Sequence, residues 1–230
     1  MSEKVTKQIL ANRASVAAAA ANILTKEAIE AIRCADIELL RRFLNDGVGL
    51  GRTQNGRTLL HYAIIHHANM AMLDLILSYK SIDINTVDSH YNTAFFLSIQ
   101  RLNKFAAKYL VSKGVDVDER NKFGETTLIQ LARQAVSRAV DFRLMVNLLL
   151  SLGADVKAVD NKGRSALHYV ASMKTEHLDI VRSLMEAGAD PKQLTDDGRS
   201  VLDYATTRPK KSMQLIRQLM GNHNIIDWKS

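Results

Sequence analysis

The sequence predicts an all-α solenoid of stacked helix-turn-helix units joined by finger-like β-turns, on three grounds. A phrase built on Thr or Ser just behind a turn-type residue returns five times: GRTLLHYA, YNTAFFLS, GETTLIQLA, GRSALHYVA and GRSVLDYAT. Its hydroxyl anchors, Thr58, Thr93, Thr126, Ser165 and Ser200, stand 35, 33, 39 and 35 residues apart, so one supersecondary unit is repeated. Ten residues before four of the turn positions a second mark keeps the same register: Ser81-Ile-Asp-Ile, Gly114-Val-Asp-Val, Gly153-Ala-Asp-Val and Gly188-Ala-Asp-Pro. The composition agrees, because 47% hydrophobic residues with 6% aromatics and two prolines favour helices packed through Leu, Ile, Val and Ala.

Each element follows in chain order. Lys4, Lys7 and Arg13 precede an alanine-heavy run from Val16 to Leu24 that imitates a signal peptide or organellar presequence. Alanine is the best helix former and a poor insertion sequence, so residues 1–24 are read as a capping helical extension. Glu27, Ala28, Ala31 and Ile32, then Asp36, Leu39, Leu40 and Leu44, predict two helices of a degenerate first repeat, with Gly47 to Gly56 as its finger.

In every full unit the hydroxyl anchor is placed to cap the first helix by accepting an orphan N–H. The second helix carries the apolar pairs Leu110-Val111, Leu149-Leu150 and Leu184-Met185. Gly114, Gly153 and Gly188 then suit a left-handed helix stop. The expected core includes Leu60, Ala63, Leu77, Leu110, Leu128, Leu149, Leu167, Leu184 and Leu202. In the third unit Ala132 and Leu149 lie seventeen apart, against eleven between Ile99 and Leu110. The six extra residues are read as a basic insert carrying Arg133, Arg138 and Arg143, or as a longer first helix. A final helix from Pro209 through Leu219 and a tail from Asn222 to Ser230 with Trp228 close the chain, giving a repeat domain over 25–221.

This register resembles that of the ankyrin-repeat family over roughly residues 26 to 220. The resemblance implies that His61 and His168, three residues after their anchors, tie one repeat's hydroxyl and turn to the next. Departures are visible: Phe96, Ile129 and Asp203 replace His, and Tyr91 replaces the turn glycine of the second unit. The family's proline after the hydroxyl is absent, with Leu59, Ala94, Thr127, Ala166 and Val201 in its place, which predicts weaker definition of the helix starts.

Chemistry-bearing motifs are missing. There is no phosphate-binding glycine loop, no paired cysteines, no HExxH and no GxSxG. His66 and His67 are adjacent on a helix and point about 100° apart, which disfavours a shared metal. Cys34 is the sole cysteine, so no internal disulfide can form; it is expected to be a buried small hydrophobe in a reducing compartment. No apolar run reaches membrane-spanning length. The expectation is a non-enzymatic, cofactor-free, metal-free, monomeric protein of the cytoplasm, with the nucleus or a host-cell cytosol as alternatives.

The family resemblance implies a binding face made of finger tips and the exposed ends of the first helices. Register places Arg52, Arg57 and His66 there in the first full unit, and His90 and Arg101 in the second. The third contributes Arg120, Lys122, Phe123, Glu125 and Arg133, the fourth Lys162 and Arg164, and the fifth Asp196, Asp197, Arg199 and Arg208. Ten of the face's residues are Arg or Lys and three are acidic, which concentrates a formal charge of +7 there. Arg suits bidentate pairing with carboxylate or phosphate. Phe123 is either an apolar anchor for a partner or a packing neighbour of Tyr91. The expected partner is an acidic segment of another protein, for an adaptor, inhibitor, assembly chaperone or binding effector. The alternative is nucleic acid or anionic lipid, the former disfavoured by the few aromatics among the basic residues.

Overall fold

The computed structural model describes residues 26–46, 51–67, 69–134, 139–172 and 178–205, with 217 and 221; residues 139–142 and 178 are described by backbone alone. The N-terminal extension, Arg138, Arg208, the final helix from Pro209 and the Trp228 tail lie outside these residues, apart from Arg217 and Gly221. The chain divides into two compact units, Met1–Val115 and Asp116–Ser230.

The first unit holds three helix pairs: α1 (Lys26–Arg33) with α2 (Ile37–Asn45), α3 (Leu59–Ile65) with α4 (Met70–Leu77), and α5 (Ala94–Gln100) with α6 (Lys104–Ser112). First helices pack on first helices, α1 on α3 and α3 on α5, while α2 packs on α4. The second unit repeats this with α7 (Thr127–Gln134), α8 (Ala139–Ser151), α9 (Ala166–Ser172), α10 (Leu178–Glu186) and α11 (Val201–Tyr204). There α9 lies between α7 and α11, and α8 packs on α10. β pairing among the described residues includes the isolated bridges Val87 with Thr93, Val159 with Ser165 and Leu194 with Ser200 at the bases of fingers.

The first helices of the five full units begin at 59, 94, 127, 166 and 201, at the positions where the family carries proline. Side-chain caps define these starts without it. Thr93 accepts the N–H of Phe96 at 3.0 Å, and Thr126 that of Ile129 at 3.4 Å. The Thr58 and Ser165 hydroxyls in addition pair with His61 and His168 Nδ1, both at 2.9 Å, and Thr58 forms a capping box with His61. Second helices of the first unit are capped by Asp36, Asn69 and Asn103, each accepting the N–H of the third residue of its helix. Just before these caps the chain turns through left-handed Ala35, His67 and Leu102.

Seven of the nine expected core positions are buried, from Leu60 to Leu184. Leu77 and Leu202 are only half-buried; one position earlier, Ile76 and Val201 take the inward face. Cys34 is exposed, contrary to expectation, because it follows α1 on the side away from Ala31 and Ile32, where its thiol donates to Glu30. The extra residues of the third unit extend its second helix: α8 has 13 residues against 8 or 9 in α4, α6 and α10. Arg143 on the lengthened part reaches Asp179 of α10 at 3.7 Å.

Candidate functional site

The fingers are built by one side chain that stands five residues before each anchor: Thr53, Asp88, Asn121, Asp160 and Thr195. Its oxygen accepts the N–H four residues on, at 3.3, 3.0, 3.1, 3.0 and 3.1 Å in chain order. Its own N–H donates to the carbonyl of that same residue, closing a five-residue loop at 2.9 to 3.0 Å. Asx and hydroxyl side chains favour such local loops. The motif stands in the sequence at a fixed offset from every anchor, but its mixed Thr, Asp and Asn identities match no catalytic or metal pattern.

Within each unit neighbouring loops bond through the backbone. In the first unit Ser89 donates to the carbonyl of Asn55 at 2.9 Å; in the second, Asn161 donates to Phe123 at 3.0 Å and Asp196 to Lys162 at 3.1 Å. This stacking leaves no room at the turn glycine: a Cβ on Gly163, at φ +72°, would lie 2.8 Å from Asp196 N.

The histidines act as the family resemblance implied, with one difference between them. His61 Nδ1 accepts the N–H of Thr58 at 3.2 Å, so its Nε2 carries the proton and donates to the carbonyl of Asn92 at 3.0 Å. His168 Nδ1 accepts from Ser165 at 3.2 Å, but its buried Nε2 lacks a well-formed hydrogen bond, and its ring meets Tyr204 edge-on at 5.2 Å. Burial lowers the pKa of both below the ordinary imidazole value.

The arginines of the expected binding face are largely engaged within the fingers themselves. Arg57 Nε reaches Asp88 at 3.3 Å, and Arg164 holds Asp160 through NH2 at 2.7 Å and Nε at 2.8 Å. Arg133 grips Glu125 through Nε at 2.6 Å and NH2 at 3.2 Å, and Arg199 Nε pairs with Asp197 at 3.0 Å. Burial alone would raise the pKa values of Asp88 and Asp160, yet backbone N–H donors and these guanidinium groups bring both below the ordinary carboxylate value. Tyr169 donates to Asp160 at 2.8 Å beneath the Arg164 guanidinium, and burial together with that carboxylate pushes its phenol well up. Arg120 donates to the carbonyls of Gly124 and Val159.

Other expected face residues point to solvent. Arg52, Arg101, Lys122 and Lys162 are exposed, as is His90 beside the Ser89 hydroxyl. Phe123 is 46% exposed, with the Lys122 ammonium 4.9 Å from its ring centroid. His66 is half-buried against Tyr62, and burial followed by the nearby Arg33 and Arg101 charges lowers its pKa. Among the described residues no group of three or more His, Cys, Asp or Glu could hold a metal, and no helix is long and apolar enough to cross a membrane.

Comparison with known proteins agrees with this geometry. The family model described as ankyrin repeats (3 copies) matches residues 25–121 and 133–227. The chain is 31% identical over 142 residues to Neurogenic locus notch homolog protein 1 of Xenopus tropicalis, covering 60% of this chain and 5% of that protein. It is 34% identical over 141 residues to human Transient receptor potential cation channel subfamily A member 1, covering 60% and 12%. The chain thus spans a small part of the length of these relatives. Among solved structures, an ankyrin repeat domain from Acinetobacter baumannii AYE has a similar fold, with a TM-score of 0.63 at 24% identity over 86% of this chain and 97% of that one. So has a chain in the complex of Bd0816 Predatory Endopeptidase from Bdellovibrio bacteriovorus with immunity protein Bd3460, with a TM-score of 0.61 at 20% identity over 84% and 98%. Ankyrin repeats generally bind other proteins and do not catalyse reactions. Recurrent phrase, finger loops, histidine bridge and family match together make this chain a member of the ankyrin-repeat family.

Proposed function

We propose that this chain is a non-catalytic protein-interaction module that takes an acidic segment of another protein along its basic finger tips. The carrying observation is the row of tips in the second unit. Lys122 and Phe123 on one finger adjoin Lys162 on the next, joined by the Asn161 to Phe123 backbone bond and by Asn161 Nδ2 donating to the Lys122 carbonyl at 3.2 Å. Two exposed ammonium groups beside a half-exposed aromatic suit an anionic segment with one apolar residue. Arg57, Arg133, Arg164 and Arg199 serve this face mainly by fixing the loops that present it. The module works as adaptor, inhibitor, assembly chaperone or binding effector, as a monomer in the cytoplasm, with the repeat domain spanning 25–221. A similar fold occurring in an endopeptidase complex with an immunity protein favours the inhibitor form.

The test is affinity capture from the native cell, with captured proteins identified by mass spectrometry for wild type, Lys122→Glu with Lys162→Glu, and Phe123→Ala. Loss of the same protein in both variants, with unchanged unfolding, is the expected result. Capture dominated by nucleic acid and falling steeply with salt would replace this reading by nucleic-acid binding.

A further inference from the structure

Phe105 on α6 is 83% exposed, more than any other large apolar residue described in the chain. It lies away from the fingers, on a second helix, and its setting is basic. Lys104 and Lys108, beside it and one turn on, are exposed, and Arg101 is exposed at the end of α5 just before. None of the three forms an ion pair among the described residues, unlike Arg57, Arg133, Arg164 and Arg199. The nearest carboxylate on the adjoining second helix, Asp74, is already engaged by Tyr109 and by Lys113 Nζ at 3.0 Å. That pairing lowers the pKa of Asp74 and raises that of Lys113, so both stay charged and cancel.

The same pairing sets the register between α4 and α6. Asp74 and Tyr109 meet, so the residues one turn before each, Met70 and Phe105, share the N-terminal edge of the two helices. Met70 is 45% exposed. The result is an aromatic and a thioether side chain bordered by three exposed cations that form no ion pair among the described residues.

We propose that this edge of α4 and α6 is a second docking surface, fitted to a segment of another protein that carries an apolar side chain between carboxylates. Charge complementarity selects the occupant: Arg101, Lys104 and Lys108 present donors that no carboxylate among the described residues takes up. An aromatic in a small apolar patch ringed by charge is the composition of an interface hot spot. A membrane surface fits less well, since adsorption to lipid draws on a broad apolar helix face, and Phe105 and Met70 are two side chains. Of its residues only Arg101 also belongs to the expected binding face, and none is among the Lys122, Phe123 and Lys162 tips.

The experiment is a titration of the full chain, followed by amide NMR, with a blocked amphipathic peptide of Glu and Leu. A Lys and Leu peptide and phosphatidylcholine vesicles containing phosphatidylserine serve as the other two probes. The acidic peptide should give saturable shifts centred on Met70, Arg101, Lys104, Phe105 and Lys108. Phe105→Ala should weaken it about tenfold, near 1.4 kcal/mol, and Lys104→Glu with Lys108→Glu should abolish it. Phe105 is solvent-facing, so shifts elsewhere in the spectrum stay unchanged in the variant. Saturable shifts confined to the Lys122–Lys162 fingers would overturn this proposal while leaving the finger reading intact. Equal affinity in Phe105→Ala, binding of the vesicles in preference to the peptide, or equal binding of the basic peptide would also overturn it.

Discussion

The finger at 88–93 and the finger at 160–165 are the same loop made with different residues. Asp88 and Asp160 both accept the N–H four residues on at 3.0 Å, and both donate their own N–H to that residue's carbonyl. At the turn, Gly163 has φ +72° and Tyr91 has φ +62°. A left-handed turn therefore does not by itself require glycine; a side-chain-bearing residue occupies it at roughly 1–2 kcal/mol. What makes glycine obligatory at 163 is Asp196, whose backbone nitrogen comes within 2.8 Å of where a Cβ would stand. The anchors differ in the same spirit. Phe96 leaves the Thr93 hydroxyl free to cap the helix, whereas His168 takes the Ser165 hydroxyl for itself.

Beneath the second finger lies Leu167, 1% exposed between α7 and α11. Leu167→Ala should cost about 2–5 kcal/mol, the usual range for a buried leucine. Urea unfolding followed by circular dichroism measures it, and a loss under about 0.5 kcal/mol would show that the stack does not close on this residue. Gly163→Ala comes next, at about 2–4 kcal/mol, from left-handed strain plus loss of the Lys162 to Asp196 bond. Tyr91→Ala retains a Cβ at the same φ and loses only ring contacts. If the two alanine variants lose stability equally, close approach is not what distinguishes the fingers.

The histidine contrast predicts a pH dependence. His61 and His168 are buried and neutral, with folded pKa values lowered below the unfolded value near 6.5. As pH falls, the unfolded chain takes up these protons first, so their contribution is complete above about pH 6.5 and is lost progressively below it. His168→Phe, which copies the Phe96 arrangement, should cost about 1–2 kcal/mol at pH 7.5 because Ser165 N–H loses its acceptor. Below pH 6 the gap to wild type should narrow. Thermal unfolding across pH 5 to 8 checks this, and a gap that stays constant would mean that His168 is not held neutral.

Much of this was legible in the sequence and part was not. The anchors and the glycine stops after second helices could be read because each repeats at a fixed offset, and the histidine bridge because the family resemblance implied it. Helix order followed from them, and Leu60, Leu128 and Leu149 are core as expected. Leu77 and Leu202 failed by one residue, since an apolar run such as Leu75-Ile76-Leu77 does not say which member turns inward. Cys34 failed because residue type sets only a preference for burial, and the end of α1 faces solvent there. The binding face was the weakest point. Register assigned Arg133 and Arg164 to it, and charge counting could not see that Glu125 and Asp160 pair with them. Nor does any repeat rule point to Phe105, because its position is a departure from the pattern.

The smallest effect tests the strained finger itself. Tyr91→Gly removes the left-handed cost of a side-chain-bearing residue, worth roughly 1 kcal/mol, and also removes the half-buried ring. Glycine adds entropy to the unfolded chain, which offsets part of the gain by about 0.5–1 kcal/mol. The variant should therefore lie within about 1 kcal/mol of wild type, on the stabilised side if the ring contributes little. Tyr91→Ala in parallel separates the terms, because it removes the ring and keeps the strain. Glycine more stable than alanine is expected from φ +62° at this position. Alanine equal to or above glycine would mean that residue 91 does not hold the left-handed turn in solution, and the likeness between the two fingers would fail at its central residue.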